Sequence, residues 1–288
     1  MLGLHGAQLC QNRRPSVIAE NMNPAYVTPL PDLGVLRIAG PDSRRFLQGQ
    51  LSNDLEQLDA RPGLRAGLHS PQGRVIAILQ LFPAGEDVLA VTSRELVVPV
   101  VALLRRYLLR AKARVEDASD GHPVIGITDA GGRRVMVLPS GSPAPEGQPG
   151  NSRDWRAADI AEGLPRLTAA TSGEFVAQML NLDHIDGISF TKGCYTGQEI
   201  IARAHYRGRV KRRAQRFEIH SAGDLSPGQR IRLADGRDAT VVDVLRMDED
   251  RQECLAVAPL AAADATADGE ATNVDSRPLP LPWATEAD

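Results

Sequence analysis

Residues 192–199 read Lys-Gly-Cys-Tyr-Thr-Gly-Gln-Glu (KGCYTGQE) and place a lysine, a cysteine, two glycines and a carboxylate in one short segment. A threonine followed three residues later by Glu199 has the spacing of a capping box, which predicts a helix from Gly197 onward. Backbone N–H groups at a helix N-terminus and the nearby charge of Lys192 both favour a thiolate at Cys194. The segment therefore predicts a nucleophile, a redox thiol or one ligand of a transient metal cluster. The candidate catalytic residues are Lys192, Cys194 and Glu199.

Two of these residues also have a simpler explanation. A free cysteine is often a small buried core residue, and Cys194 could be one. Glu199 could serve only to cap the helix. The lysine and the glycines around the thiol favour the functional interpretation, because a packing residue needs neither a neighbouring charge nor open space beside its sulfur.

The composition excludes several classes of protein. The chain has 288 residues, 42% of them apolar and 24% charged, and a formal net charge of −3, which argues against a protein that coats nucleic acid with its whole surface. No apolar run approaches the roughly 20 residues of a membrane span, and the first residues lack a signal-peptide pattern. Cys10, Cys194 and Cys254 form no CxxC pair, which is typical of a reduced, cytoplasmic protein without a metal site of its own. Met22 is an alternative start of translation.

Periodicity divides the chain into four predicted stretches. Strand-like alternation around an amphipathic helix at Arg94–Arg110 indicates an α+β sheet. After residue 212 the pattern becomes strand, turn and strand, with Asp235-Gly236 as a hairpin signal, which indicates a small β-barrel. The predicted units are a mobile N-terminal extension (1–23), an α+β core (24–211) with a subdomain break near 116–152, a C-terminal β-barrel (212–262) and an acidic, Ala/Pro-rich tail (263–288). Most of the tail is expected to be mobile, although Leu279–Trp283 could pack back.

A basic run covers Arg203–Arg216 and contains seven Lys or Arg residues, one histidine and no acid. Such a run can hold phosphates or a polyglutamate tail. A solvated charged face is the alternative. Tyr195 and Tyr206 either stack on a flat ring or simply pack.

Several segments of the chain together resemble a known family. They are Gln48–Asp54 (QGQLSND), Asn181–Asp183, Gly187–Phe190, KGCYTGQE itself, Ala202-Arg203 and Tyr206–Gly208. From about Leu30 to Leu260 the chain is similar to the YgfZ-type folate-binding proteins. These are relatives of the glycine-cleavage aminomethyltransferase and of a mitochondrial iron–sulfur assembly factor.

The resemblance implies an aminomethyltransferase-like fold, in which two α+β subdomains surround a central folate cavity and a small C-terminal β-barrel follows. Tetrahydrofolate, or a folate derivative, is the implied cofactor. One tryptophan associated with folate in a relative falls on Trp155, and a second falls near Leu33, which cannot stack a pterin. The residues expected to bind the cofactor are Trp155, Tyr195, Gln198 and Arg203, in a cleft lined by Trp155 and the Cys194 loop.

The function implied by the resemblance is support of iron–sulfur cluster assembly or repair, with an indirect effect on tRNA modification and Cys194 as the working thiol. Aminomethyltransferase activity is not expected, because Ala77 and Ile78 stand where relatives place an aspartate, and neither can accept a proton. The protein is therefore not expected to be an ordinary enzyme.

Two other functions remain open at this point. One is a folate-dependent one-carbon transferase with Glu199 or Asp183 as its base. The other is a tRNA-contacting protein that uses Arg203–Arg216. The expected partners are folate, iron–sulfur client enzymes or their assembly machinery, and tRNA through weak contact; no membrane contact is expected, and the protein is expected to be a monomer.

Overall fold

The computed structural model describes residues 25–208, 210–221, 223–260 and 271–283, and its strands form three sheets. The first sheet has five antiparallel strands in the order β3-β4-β5-β2-β6. Their bounds are β2 Leu33–Ala39, β3 Leu64–His69, β4 Val75–Ala84, β5 Asp87–Ser93 and β6 Arg114–Asp117. Helix α1 (Ser43–Gln48) follows β2, and helix α2 (Arg94–Tyr107) follows β5.

Alternation along β4 gives this sheet two different faces. Val75, Ala77, Leu79 and Leu81 are buried in the main core, whereas Ile78 and its alternating neighbours point to the opposite side. Helix α2 covers the core face with a stripe of residues at helical spacing, namely Leu96, Val97, Val100, Val101 and Leu104. The opposite face of the sheet is therefore free to border a cavity.

The second sheet has the order β8-β7-β1-β9 and lies before helix α3 (Ser152–Ala161) in the chain. Its strands are β1 Tyr26–Pro29, β7 Val124–Asp129, β8 Gly132–Val137 and β9 Gln148–Pro149. Trp155 of α3 is buried directly on this sheet, because a Cβ added at Gly126 would lie 2.5 Å from its ring carbons. A glycine in the middle of β7 thus allows the helix to approach closely.

The third sheet has six strands in the order β14-β11-β12-β13-β10-β15 and forms a curled half-barrel. The bounds are β10 Arg212–His220, β11 Arg230–Arg232, β12 Asp238–Arg246, β13 Arg251–Pro259, β14 Thr272–Asn273 and β15 Asp275–Leu279. Phe217, Ile231, Val241 and Cys254 are among the residues of its core. The predicted α+β class with a small β unit after two α+β units is confirmed.

The tail differs from its predicted mobility in the part that the structure describes. Residues 275–279 pair with β10 and residues 272–273 pair with β11, so backbone hydrogen bonds fix them at both edges of the sheet. The expected packing of Leu279–Trp283 is seen, since Leu281 is buried and the Trp283 ring stacks on His184 with centroids 5.7 Å apart. Cys10, Met22, the extension 1–23 and residues 263–270 and 284–288 of the tail lie outside the described residues.

Among the residues that the structure describes, no helix is both long enough and apolar enough to cross a membrane.

Candidate functional site

The Lys192 side chain is buried and holds the KGCYTGQE segment against the turn that follows α1. Its Nζ donates hydrogen bonds to the carbonyl oxygens of Gln48 (2.7 Å), Leu51 (2.8 Å) and Asn53 (2.8 Å). Burial lowers the pKa of Lys192 to about 8, against the opposing effect of Asp54, so the amine is still protonated at neutral pH. An ammonium has three N–H donors, and here each one has its own acceptor. The lysine therefore joins two segments of the chain that are far apart in sequence.

The 48–54 segment is also tied to the rest of this region by its own side chains. Ser52 donates to the carbonyl oxygen of Gly187 (2.7 Å) and accepts from the backbone N–H of Gly67 (2.8 Å). Asn53 donates to the carbonyl oxygens of Arg65 and Asp186, both at 2.8 Å. The 48–54 segment, the 186–187 loop and Lys192 of the motif thus form one hydrogen-bonded unit.

Cys194 is exposed at the surface of this unit, so the alternative of a buried core cysteine is wrong. A Cβ added at Gly193 would meet no atom of the described residues within 4 Å, which leaves the approach to the sulfur open. Cys254 provides the contrast, because it is fully buried in the third sheet and burial raises the pKa of its thiol to about 12.

The helix after the motif begins one residue later than predicted and lacks the capping box. Helix α4 covers Gln198–Tyr206, and its N-cap is Gly197 at φ 81°, without a side-chain cap among the described residues. Gly197 fits because this left-handed conformation suits glycine and because a Cβ there would lie 2.7 Å from the Ser70 carbonyl oxygen. Glu199 is exposed in the first turn. A short loop therefore separates Cys194 from the start of the helix. The Lys192 ammonium is hydrogen-bonded to backbone carbonyl oxygens, so its charge does not act on the thiol alone.

The residues predicted to bind the cofactor lie in two places. The Tyr195 side chain is buried, and its ring centroid lies 5.3 Å from Lys192 Nζ. Burial raises the pKa of Tyr195 to about 12. Gln198 is half-buried at the start of α4, and Arg203 is exposed further along it. Trp155 instead lines a cavity between the first two sheets.

This cavity has a volume of about 280 Å³ and is bounded by the first sheet, β8, α3 and residues 164–167. Leu33, Ile78 and Trp155 are among its lining residues, whereas Ala77 faces the core on the other side of β4. Among the described residues, none from 192–199 lines it. The expected cleft formed jointly by Trp155 and the Cys194 loop is therefore not seen.

Trp155 is covered by protein on both the sheet side and the cavity side. Gly126 packs against its ring, and the guanidinium carbon of Arg133 lies 4.2 Å from the ring centroid. Arg133 is held there by Asp159 at 2.6 Å and Glu162 at 2.7 Å. A flat ligand can stack on that face of Trp155 only if Arg133 moves aside.

The basic run divides into an internal and an external part. Arg213 makes a two-pronged ion pair with Asp183, at 2.9 and 2.8 Å, and Arg216 pairs with Glu253 at 2.6 Å. These arginines are structural parts of β10. Arg203 and Arg207 are exposed on and after α4, and Arg209 lies outside the described residues.

Sequence reasoning did not identify Arg65, which lines the cavity from β3, or His69 at the end of the same strand. His69 is 2% exposed and neither ring nitrogen has a partner in hydrogen-bonding geometry within the described part of the chain. Its ring lies 6.2 Å from that of Tyr195, and burial lowers its pKa to about 4. The alternation of β3 could have placed Arg65 on the face opposite the core, but the strand is irregular between Leu68 and His69, and no sequence pattern reveals that the His69 ring nitrogens lack partners among the described residues.

We predict that Lys192→Met, which keeps the length of the side chain and removes the ammonium, destabilises the protein. Three buried carbonyl oxygens would lose their donor, and we expect a loss of about 2–4 kcal/mol in the free energy of unfolding, measured in urea. Lys112→Met, at an exposed position, is the control and should change little. A loss below about 0.5 kcal/mol would show that the three bonds do not hold the loop.

We predict that the buried His69 makes the folded protein less stable as the pH falls below about 6.5. Its pKa of about 4 in the folded protein is below its ordinary value of 6.5, so the unfolded chain takes up the proton first as the pH falls. Stability is then retained above about pH 6.5 and lost between pH 6.5 and 4, by about 2 kcal/mol at pH 5 relative to pH 7.5. His69→Leu should lack this part of the loss in urea unfolding at the two pH values. Parallel pH profiles for the two proteins would contradict the prediction.

Comparisons with known proteins agree with this architecture. No family model matches the chain. It is 30% identical to an uncharacterized protein from Haemophilus influenzae over 212 residues, covering 69% of this chain and 75% of the relative. It is 29% identical to the tRNA-modifying protein YgfZ from Yersinia pestis (68% and 71% covered) and 28% identical to that from Serratia proteamaculans (69% and 72%).

A solved structure shares the fold at low sequence identity. It is the glycine cleavage system aminomethyltransferase T from Bartonella henselae, with a TM-score of 0.53, 12% identity, and 83% of this chain and 79% of that chain covered. The sequence likeness and the shared fold point to the same group of proteins. The chain is therefore similar in sequence to the YgfZ proteins and shares the fold of the aminomethyltransferase.

Proposed function

We propose that this protein binds a reduced folate and supports iron–sulfur cluster assembly or repair, and through it tRNA modification, with Cys194 as a thiol that acts on a partner protein. The observation that carries the proposal is the separation of two sites. Cys194 is exposed on a loop anchored by Lys192, whereas the cavity suited to a ligand lies elsewhere, between the first two sheets. The name of the YgfZ relatives supports the link to tRNA modification, and the aminomethyltransferase-like fold supports the use of a folate.

The position of Cys194 suits work on another molecule. An exposed thiol beside Gly193 is open to approach by a large partner, and the three bonds to Lys192 fix the backbone just before it. The alternative thiol, Cys254, is fully buried and its raised pKa keeps it protonated. Of the two cysteines that the structure describes, Cys194 is the one available for sulfur or iron chemistry.

The cavity has the character of a ligand site, and its volume is close to the lower limit of ligand pockets. Ligand pockets usually start near 300 Å³ and combine apolar walls with a few polar groups. This one, at about 280 Å³, has Leu33, Ile78 and Trp155 as apolar walls. Its polar groups include four arginines, and the glutamate part of a folate carries two carboxylates that arginines can bind.

One-carbon transfer is less well supported by the geometry. Asp183, one candidate base, is bound by both ends of its carboxylate to Arg213. Glu199, the other, is exposed on α4, and neither of the two lines the cavity. Asp159 does line the cavity, but Arg133 and Arg166 already hold its carboxylate. A base that removes a proton must reach the substrate, so the accessory role is the better proposal.

We predict that Cys194→Ser abolishes the support of tRNA thiolation and iron–sulfur enzymes but keeps folate binding. In a strain lacking this gene, the wild type and the matched control Cys254→Ala should restore thiolated tRNA, measured by mass spectrometry, and iron–sulfur enzyme activity. Cys194→Ser should fail to restore either. Its affinity for tetrahydrofolate, measured by calorimetry, should stay within about twofold of the wild type because the sites are independent. Full restoration by Cys194→Ser would disprove the role of the thiol, and absence of tetrahydrofolate binding to the wild type would disprove the role of the cavity.

A second candidate function, direct contact with RNA, is favoured by the exposed end of α4. Tyr206 is 68% exposed, and its ring meets that of His205 edge-on with centroids 4.7 Å apart. The His205 ring in turn stacks on Phe190 at 3.8 Å. Exposed Arg203 and Arg207 flank these rings, and aromatic faces beside cations are what single-stranded nucleic acid binds.

We predict that the variants Tyr206→Ala and Arg207→Gln weaken binding of unmodified tRNA in filter binding. Loss of a stacked base costs about 1–3 kcal/mol, and loss of one phosphate contact lowers the slope of log K against log salt by about 1. Arg44→Gln, an exposed arginine paired with Asp59, is the control and should leave the slope unchanged. Equal slopes for Arg207→Gln and the wild type would reject the contact.

A further inference from the structure

Among the arginines that line the cavity, Arg65 is the one whose guanidinium makes no hydrogen bond or close ion pair with the described residues. Four arginines and two carboxylates line the cavity. Arg133 bonds both carboxylates, Asp159 and Glu162, and Arg166 pairs with Asp159. Arg134 pairs with Asp129, which lies outside the cavity lining. No acceptor within the described residues takes a hydrogen bond from the Arg65 side chain.

Arg65 is held in this position by its backbone rather than by its charge. It lies in β3 opposite Gln80 of β4, and its carbonyl oxygen accepts a hydrogen bond from Asn53. Alternation along β3 puts the Arg65 side chain on the cavity side, while Leu64 and Ala66 are buried in the core. Burial lowers the pKa of Arg65 below its ordinary value, against the attraction of the nearby Asp159, Glu162 and Asp186 carboxylates, because the guanidinium has lost water without gaining a hydrogen bond from the described residues. A half-buried cation of this kind is costly to the folded protein unless something binds it.

A carboxylate is the ligand group that best matches the Arg65 guanidinium. A guanidinium has only donors, arranged in a fixed fork that matches the two oxygens of a carboxylate. The pterin end of a folate presents both donors and acceptors, so Arg65 would satisfy it only in part. The glutamate end presents acceptors alone, which makes it the complementary partner.

The position of Arg65 also gives the ligand a direction. Arg65 lines a second hollow of about 90 Å³, together with Arg61, Gly63 and Asp186. A carboxylate bound at Arg65 would thus lie where the cavity adjoins this smaller hollow at the β3 edge, with the rest of the ligand extending along Ile78 toward Trp155.

We propose that Arg65 binds the glutamate carboxylate of the folate and so selects acidic folates over uncharged analogues; this rests on the proposed folate-binding function. The test compares 5-formyltetrahydrofolate with the same compound in which both glutamate carboxylates are carboxamides. Calorimetry on the full chain measures both ligands against the wild type, Arg65→Gln and Arg65→Lys. Arg94→Gln, which alters an exposed arginine paired with Asp120 outside the cavity, is the matched control.

Arg65→Gln should bind the acid about 10- to 100-fold more weakly than the wild type, the range for a charge-assisted hydrogen bond, and the diamide with an affinity within about threefold. Arg65→Lys should fall between, because a lysine keeps the charge and loses the fork. Binding of the diamide also reports that Arg65→Gln is folded. An equal loss for both ligands, or no loss for either, overturns the role of Arg65 while the wild type still binds folate. A wild type that binds neither ligand rejects the folate-binding function itself, and the inference with it.

Discussion

The buried Lys192 ammonium is the interaction on which the functional region depends. A charge taken out of water is tolerated only when its hydrogen bonds are replaced, and here three carbonyl oxygens of the 48–53 turn replace them. The same turn is bonded to β3 and to the 186–187 loop through Ser52 and Asn53. The lysine therefore fixes the motif loop, the early turn and the cavity-bearing sheet relative to one another. The lysine acts by fixing the backbone of the motif loop, and the thiol two residues later is held in place with it.

Such an anchor allows one compact unit to carry two separate sites. The motif loop packs on the β3–β4 turn, where Gly197 approaches the Ser70 carbonyl, and presents Cys194 outward. The cavity side of the same two strands carries Arg65 and Ile78. A ligand in the cavity and a partner at the thiol would thus contact the same strands from different sides.

The sequence predicts the fold better than it predicts the site. Strand alternation and the α2 stripe depend on local periodicity, and the family resemblance added the arrangement of units. The predicted capping box was wrong, because Gly197 takes a left-handed conformation and the helix begins one residue later than expected. The partner of Lys192 could not be found from the sequence, because its acceptors are backbone carbonyls about 140 residues away. The lack of a hydrogen-bond partner for Arg65 could not be predicted for a related reason. Only the folded structure shows that the other arginines of the cavity form ion pairs.

The proposed folate cavity and the thiol loop are separate sites, and hydrogen exchange followed by mass spectrometry tests this separation directly. The measurement compares the protein with and without saturating 5-formyltetrahydrofolate. Protection should increase in peptides that cover the cavity walls, at residues 64–67, 133–135 and 164–167. Peptides covering 192–199 should exchange at an unchanged rate, because their anchor at Lys192 does not involve the ligand. Protection confined to 192–199, with none at the cavity walls, would place the ligand beside Cys194 and contradict the account.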